Sequence, residues 1–269
     1  MFRLKALDDN ETPESIMSGG RHRPLDPSLL VPAKDYIHTG THAEFLKAQP
    51  EKFNALVVAA AVFYKDRLLL VQRAEGDSYP GHWELPGGMA DASDKIIYDA
   101  VKRELREETG LTLDKVIQQI LPAETFVTGW GKRAKNWLKV SFVVDVTAEA
   151  KIEAGQEVGI QQAKEKAEEQ VAVETKKLEE LMDDADEELY EELERARAER
   201  VDDPVVAEIG VPVVKLNPKE HQYHLWVKEE EVKNMEVQGK ELQFIAEAQV
   251  QTILSAFKIH KEIEAEMAD

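Results

Sequence analysis

The stretch Trp83–Leu111 reads WELPGGMADASDKIIYDAVKRELREETGL and places three glutamates behind a glycine pair. Because residues three and four apart share a face of an α-helix, Glu104, Glu107 and Glu108 should project from adjacent turns on one side. Gly110 is positioned to end that helix as a C-terminal cap. Like charges this close repel one another, so the cluster is typical of a site that holds a divalent cation with oxygen ligands.

Arg103 precedes this cluster, one residue before Glu104 and four before Glu107. From there its guanidinium can hold a carboxylate oxygen through a charge-assisted hydrogen bond. The plainer interpretation is a solvated helix face with a surface ion pair, since the chain has 53 acidic residues and exposed pairs contribute under about 1 kcal/mol. The fixed order of Arg, Glu and Gly behind a Pro-Gly-Gly turn favours the metal site.

The segment from Gly88 to Leu111 resembles the signature of the Nudix hydrolase family, G-x5-E-x7-R-E-U-x-E-E-x-G-U, where U is aliphatic. The second half matches at every fixed position, but the first half differs. Counted from Gly88, the glutamate position holds Asp94, and eight residues instead of seven separate it from Arg103. The variant resembles some eukaryotic members, and we interpret Asp94 as the substitute for a mainly structural glutamate.

The resemblance implies an α/β (α+β) fold, namely a Nudix-like α/β/α sandwich around a mixed sheet. Apolar runs at Leu56–Tyr64 and Arg67–Arg73 predict a hairpin, and helical periodicity predicts helices over Lys95–Thr109 and Glu241–Phe257. Further strands are expected at Trp83–Leu85, Val116–Pro122, Phe126–Thr128, Trp137–Val146, Val211–Leu216 and Tyr223–Val227.

A change of composition divides the chain. Residues 1–53 are expected to form an irregular N-terminal extension that packs on the domain, while 54–147 and 211–269 form the first and second parts of the core, the latter with the C-terminal helix. Between them, an acidic helical insertion is predicted at residues 148–210. From Ala148 to Asp203 there are 20 acidic and 8 basic residues, which carry −12 of the net charge of −19. The insertion could fold back on the domain, cover the cleft, dimerise, or stay a solvated appendage.

Composition excludes several classes of function. The chain has no cysteine, so disulfides, thiolate zinc sites and cysteine nucleophiles are ruled out. The acidic balance disfavours long nucleic acid as a partner. The first residues lack the pattern of a secretory signal, and the longest apolar run, Ala55–Tyr64, is too short to span a membrane. A cytoplasmic protein is therefore expected, or else a nuclear one, with no membrane partner.

The resemblance assigns roles to the glutamate cluster. Glu107 and Glu108 would be the chief ligands of Mg²⁺ or Mn²⁺. Glu104 would be a further ligand, or the group that orients or deprotonates water, and the carbonyl of Gly87 would join the metal shell. Arg103 would position Glu104 or Glu107.

A further acid is expected from a distant loop. Glu220 precedes an aromatic-rich strand, and the resemblance makes it a metal ligand or base, although taken alone it would be an exposed loop residue. His221 is expected to be structural rather than catalytic. Glu84 could reach the metals through water.

Substrate contacts are predicted at four residues. Gly88 allows close backbone approach, Arg73 could touch a phosphate, and Lys132 in a small basic loop could attract one. Trp137 could stack on a base, since aromatic faces bind bases without sequence demands. The plainer interpretations are ordinary packing for Trp137 and a solvated turn for Lys132.

These residues together favour divalent-metal-dependent hydrolysis of a phosphoanhydride in a nucleoside diphosphate linked to another moiety. The expected partner is a small nucleotide-type substrate, with a homodimer or a helical partner engaged through the insertion. The alternative is a non-catalytic Nudix-like protein that senses a nucleotide or binds a partner, motivated by the extra loop residue and the acidic insertion. Isoprenoid diphosphate isomerisation ranks low, because its known form uses a cysteine, and the acidic balance disfavours removal of RNA caps.

Overall fold

The computed structural model describes residues 22–26, 28, 30–147 and 212–268. The predicted insertion at 148–210 lies outside the described residues, so its helices and the domain boundaries stay predictions. The strands are β1 (Arg23–Pro24), β2 (Ala55–Tyr64), β3 (Arg67–Arg73), β4 (Trp83–Glu84), β5 (Thr112–Thr128), β6 (Lys135–Thr147), β7 (His221–Lys228), β8 (Glu236–Val237) and β9 (Lys240–Glu241). The α-helices are α1 (His42–Ala48), α2 (Ile97–Thr109), α3 (Glu229–Asn234) and α4 (Glu247–Ala268).

The core of the described chain is a mixed seven-stranded sheet in the order β1-β5-β6-β2-β3-β4, with β7 on the other edge of β3. The only parallel pair in it joins β2 to β6, from Ala55 opposite Trp137 to Val62 opposite Val144. Parallel strands are buried on both faces, and β2 accordingly reads as an almost unbroken apolar run. Helices α2 and α4 pack against the sheet. The predicted mixed α/β fold is confirmed.

Residues 85–90, which we call the glycine loop, lie beside β2 where it diverges from β3. The strands β2 and β3 pair only beside their hairpin. Further along, β4 takes the edge of β3, and the glycine loop takes the edge of β2. Three main-chain hydrogen bonds of 2.9 Å hold it there, from Val58 N to Gly88 O, Ala60 N to Pro86 O and Ala90 N to Leu56 O.

Gly87 lies so close to β2 that no other residue fits. Its φ of 155° is a conformation that side chains rarely adopt, and a Cβ would lie 2.1 Å from the carbonyl oxygen of Val58 and 2.5 Å from the Cα of Ala59. Both neighbours are backbone atoms of a buried central strand and cannot move aside cheaply. The glycine is therefore what lets the loop join the sheet edge.

Helix α2 follows the predicted pattern closely. It begins at Ile97, two residues after the predicted start, and its buried face includes Val101 and Leu105. It ends at Gly110, whose φ of 70° is left-handed and whose amide donates to the carbonyl of Arg106. The C-terminal cap expected from the sequence is confirmed.

Three expectations about the sheet and the last helix are corrected. The two strands predicted between residues 116 and 128 are one strand, β5, whose register shifts at three places where it follows β6. The described residues 212–216 form no strand, because their main chain bonds to the end of α2 instead, with Lys215 N donating to Thr109 O. Helix α4 begins at Glu247 rather than Glu241, after the small β8–β9 hairpin.

Residues before the core also pack on it. β1 pairs with β5 at the sheet edge, and α1 begins with a capping box in which Thr41 and Glu44 satisfy each other's backbone amides. Among the helices of the described residues, none combines the length and the apolar character that crossing a membrane requires.

The fit of Gly87 predicts a stability change. Gly87→Ala should lower the free energy of unfolding by about 2–3 kcal/mol, because the new methyl group strains the backbone and pushes the loop off β2. Gly76→Ala is the matched control, since a Cβ there meets nothing within 4 Å, and it should change stability by less than about 0.5 kcal/mol. Urea denaturation of both variants measures the difference, and equal stabilities would contradict the steric argument.

Candidate active site

A cleft of about 480 Å³ opens beside the glycine loop, the end of α2 and the chain leading into β7. Six residues that the sequence predicts as functional line it, namely Arg73, Gly87, Gly88, Glu104, Glu108 and Glu220. Asp77, Lys219 and His221 also line it. Segments far apart in sequence therefore meet at one charged depression.

Glu108 is the most buried acid of the cleft. Only 6% of it is exposed, and its Oε2 accepts a hydrogen bond of 2.6 Å from the amide of Gly87. Burial raises the pKa of the Glu108 carboxyl well above its usual range, the charge of Glu84 adds to this, and the bond from Gly87 only partly offsets it. A cation bound here would stabilise the charged form of this carboxylate, which burial and the charge of Glu84 disfavour.

Glu104 lies one turn earlier on the same face of α2. Burial raises the pKa of its carboxyl, against the opposing effect of Arg103. A Cβ on Gly88 would lie 2.6 Å from Glu104 Oε2. The second glycine of the loop therefore leaves the room that this carboxylate occupies.

Arg103 holds the acids of α2 in place. Its Nη1 donates to Glu104 Oε1 at 2.7 Å and to Glu107 Oε2 at 3.2 Å. Its Nε and Nη2 donate to the two oxygens of Asp94 at 3.1 and 2.9 Å, and Nη2 also donates to the carbonyl of Met89 at 3.0 Å. The guanidinium thus bonds both Glu104 and Glu107, the two partners predicted for it, and it joins α2 to the glycine loop.

Asp94 is the anchor of that guanidinium. Burial alone would raise the pKa of its carboxyl, but the hydrogen bonds from Arg103 and from the Asp91 amide outweigh burial and lower the pKa. The carboxylate is therefore charged in the folded state, in a buried bidentate pair of the kind that fixes geometry.

A candidate metal group lies in the cleft. One possible ligand atom from each of Glu108, Glu220 and His221 falls within 4.8 Å of the others. Glu107, predicted as a chief ligand, lies outside this group and does not line the cleft. Its side chain is 56% exposed and bound to Arg103, so its role as a ligand stays a prediction.

Main-chain hydrogen bonds bring Glu220 and His221 to the cleft. The amide of Asn217 donates to the carbonyl of Glu108 at 3.2 Å, and the amide of Ala74 donates to the carbonyl of Glu220 at 2.9 Å. The start of β7 is thereby fixed between α2 and the end of β3. Sequence reasoning gave His221 a structural role, and no local pattern indicated that its ring faces the acids of α2.

Glu84 belongs to a second charged network behind the cleft. Its Oε1 accepts from Arg73 Nη1 at 2.5 Å and lies 3.5 Å from His221 Nε2. Burial would raise the pKa of Glu84, but His221, Lys139 and Arg73 together lower it. The pKa is therefore lowered at Glu84 and raised at Glu108. Two carboxyl groups whose pKa values are shifted apart are typical of acid–base sites.

Arg73, predicted to touch a phosphate, is also bound by the loop after β3. Its Nη2 donates to Asp77 Oδ2 at 2.6 Å and its Nε to the Ser78 carbonyl at 2.5 Å. Two of its five N–H groups have no partner among these contacts. The guanidinium is held rigidly at the cleft wall, where those hydrogens are available.

The structure does not bring Trp137 and Lys132 into the lining of the cleft. Trp137 lies on β6 with its ring stacked on Phe126, and Lys132 is exposed in the short 3₁₀ turn Gly131–Arg133. Their predicted contacts with substrate stay predictions.

The donor set fits a divalent cation. Carboxylates and one imidazole converge beside a glycine loop, and hard cations bind such oxygen-rich sets. A cation bound here would offset the burial and the charge of Glu84 that raise the pKa of Glu108.

The chain was also compared with known proteins. A family model described as the NUDIX domain matches residues 54–193. No curated protein matches the sequence. Among solved structures, the MutT protein from Methanosarcina mazei Go1 is 19% identical over 79% of this chain and 98% of its own, with a TM-score of 0.39. An ADP-ribose pyrophosphatase from Streptococcus suis 89-1591 is 13% identical over 77% and 92%, with a TM-score of 0.37. These two likenesses carry no argument by themselves.

The buried pair of Asp94 and Arg103 predicts a pH-dependent stability difference. Asp94→Asn should lower the free energy of unfolding at pH 7 by about 1–3 kcal/mol, because Arg103 loses the buried carboxylate that accepts two of its hydrogen bonds. The folded pKa of Asp94 is lowered, so its contribution is present above the ordinary value of about 3.9 and is lost as the pH falls through the folded value. The difference in stability between wild type and variant should therefore narrow as the pH is lowered below about 3.9, measured by urea denaturation. Asp114→Asn, at an exposed position, is the control and should show no gap at any pH.

Proposed function

This chain belongs to the Nudix family, and we propose that it hydrolyses a phosphoanhydride in a nucleoside diphosphate linked to another moiety, with Mg²⁺ or Mn²⁺ as cofactor. The observation that carries the proposal is the convergence of Glu104, Glu108, Glu220 and His221 at one cleft beside the glycine loop. Family membership makes a pyrophosphohydrolase the expected activity.

The metal would be held by Glu108, Glu220 and His221, with Glu104 beside them, the Gly87 carbonyl as a further oxygen donor, and Glu107 joining from the rim. When bound, the cation would neutralise phosphate charge and make a coordinated water more acidic. The raised pKa of both Glu104 and Glu108 supports a cation at this position, since each shift arises from burial of negative charge.

The residues of the chain carry the remaining tasks. Glu104, oriented by Arg103, positions the attacking water and accepts its proton, with Glu220 as the second candidate base. The water oxygen forms a bond to phosphorus while the bond from phosphorus to the bridging oxygen breaks, which leaves two phosphate-bearing products. Arg73 offers its two remaining N–H groups to phosphate oxygens at the cleft wall, and Gly88 leaves room for close approach.

A substrate panel tests the reaction. Purified full-length protein with Mg²⁺ or Mn²⁺ is incubated with ADP-ribose, NADH, diadenosine polyphosphates and nucleotide sugars, and the products are separated by anion exchange. Release of a nucleoside monophosphate supports the proposal. Absence of hydrolysis across the panel, together with tight nucleotide binding, would overturn it in favour of the non-catalytic alternative.

Glutamine substitutions test which glutamates bind the metal. Glu108→Gln should lower kcat/KM by roughly 10²–10⁴-fold, the range expected when one catalytic group is lost, and should weaken Mg²⁺ binding in calorimetric titration. Glu107→Gln should also lower turnover, through the rim ligand position. Glu230→Gln, exposed on α3, is the control and should match wild type. Unchanged turnover in both the Glu107 and the Glu108 variants would refute the metal assignment.

A further inference from the structure

Lys219 lines the cleft and is exposed to solvent there. The residues around the cleft carry four carboxyl groups, but besides the imidazole of His221 they carry only two basic side chains, those of Arg73 and Lys219. Phosphate groups that enter a cleft with this excess of acids need positive charge close by. The partners of the two basic side chains therefore decide which of them is available to a substrate.

The two cations differ in their partners. Arg73 forms ion pairs with Glu84 at 2.5 Å and with Asp77 at 2.6 Å. Among the residues that the structure describes, no carboxylate pairs with the ammonium group of Lys219, although Glu220 is its neighbour in sequence. Exposed lysines are common on protein surfaces, but this one lies in a cleft lined by acids. Within the described cleft, Lys219 is thus the cation whose three N–H donors are all available.

The turn that carries Lys219 is fixed at both sides of the cleft. The side chain of Asn217 accepts a hydrogen bond of 3.2 Å from the amide of Lys219, and the carbonyl of Asn217 accepts one of 3.0 Å from the amide of Glu220. The amide of Asn217 donates to the carbonyl of Glu108 at 3.2 Å, and the amide of Ala74 donates to the carbonyl of Glu220 at 2.9 Å. The main chain of Lys219 is therefore held, while its flexible side chain can follow a ligand.

Arg73 and Lys219 lie close enough to contact one ligand. Each directly precedes a residue of the hydrogen bond between Ala74 and Glu220, so covalent geometry keeps their Cα atoms within roughly 15 Å of each other. The planar guanidinium of Arg73 is bound at the wall, whereas Lys219 carries a compact charge on a flexible stem. One fixed cation and one adjustable cation thus line the same cleft.

We propose that Lys219 is a substrate-binding residue whose ammonium group contacts a phosphate oxygen of the phosphoanhydride. Formal charge supports this role. With one divalent cation bound, the four carboxylates, Arg73 and Lys219 of the lining sum to zero, whereas without Lys219 the same set is negative and repels an anion. The inference rests on the proposed function, because the ligand of Lys219 is the diphosphate group of that substrate.

Binding of a diphosphate analogue tests this contact without turnover. Methylenediphosphonate, whose P–C–P bridge water does not cleave, is titrated into the full-length protein with Mg²⁺ and followed by calorimetry. Lys219→Met should weaken its binding by about 10-fold, the effect of losing one hydrogen bond from a charged group. Lys219→Arg keeps the charge and should restore most of the affinity. Lys215→Met changes an exposed lysine of the same segment that does not line the cleft, and it should bind like wild type.

Chemical modification of the wild-type protein gives a second readout that needs no substitution. Lysines are acetylated with a limiting amount of an amine-reactive ester, with Mg²⁺ and with or without methylenediphosphonate, and the sites are quantified by mass spectrometry. At a probe concentration about ten times its Kd, acetylation of Lys219 should slow about 10-fold, because the bound fraction is protected. Acetylation of Lys215 should not change. Equal acetylation of Lys219 in both samples would overturn the proposal, and so would equal affinity of wild type and Lys219→Met or no binding to wild type.

Kinetics separate this contact from the proposed reaction. With any substrate of the panel that is cleaved, Lys219→Met should raise KM about 10-fold and change kcat by less than about 2-fold, because a contact made equally in the ground and transition states is lost. Hydrolysis that proceeds with the same KM in wild type and Lys219→Met would remove the role of Lys219 alone. Protection of Lys219 and weaker analogue binding in the variant, without hydrolysis of any substrate, would remove the proposed reaction alone.

Discussion

The hydrogen bond from the Gly87 amide to the Glu108 carboxylate is the constraint on which the cleft depends. It joins the glycine loop, which is itself bonded to the central strand β2, to the last turn of α2. Glu108 is buried there, so separating the loop from the helix would break this hydrogen bond and leave a buried polar group without its donor. Arg103 repeats the connection one turn earlier by bonding both to α2 glutamates and to the Met89 carbonyl. The helix is thus set at a fixed distance from the sheet edge.

Electrostatic asymmetry follows from this arrangement. Behind the cleft, burial would raise the pKa of Glu84, but His221, Lys139 and Arg73 lower it. At its front, Glu104 and Glu108 retain raised pKa values because burial outweighs the donors they have. Positive groups therefore outweigh burial at Glu84, whereas burial outweighs Arg103 at Glu104 and the Gly87 amide at Glu108. Arg73 bonds Glu84, and Arg103 bonds Asp94 and Glu104, whereas the described donor to Glu108 is the Gly87 amide.

Local patterns in the sequence predicted the parts of this molecule that local physics controls. Periodicity and a glycine cap gave α2 almost to the residue. Glu107 lies about 100° around the helix from Glu108, and its exposed side chain does not line the cleft that Glu104 and Glu108 line. The approach of His221, the unbroken course of β5 and the irregular path of 212–216 depend on partners distant in sequence. No short-range signal encodes such pairings, so they could not be predicted.

The pairing of β3 with β7 joins residues 67–73 to residues 221–228 across roughly 150 intervening positions. During synthesis, one edge of β3 therefore stays unpaired until the ribosome has added β7, which ends at Lys228. Exposed strand edges invite association with other chains. A nascent chain that stalls before residue 220 would lack Glu220 and His221 and would also expose the unpaired edge of β3. Chaperone demand in the cell should accordingly be concentrated in the interval between the emergence of β3 and the arrival of β7.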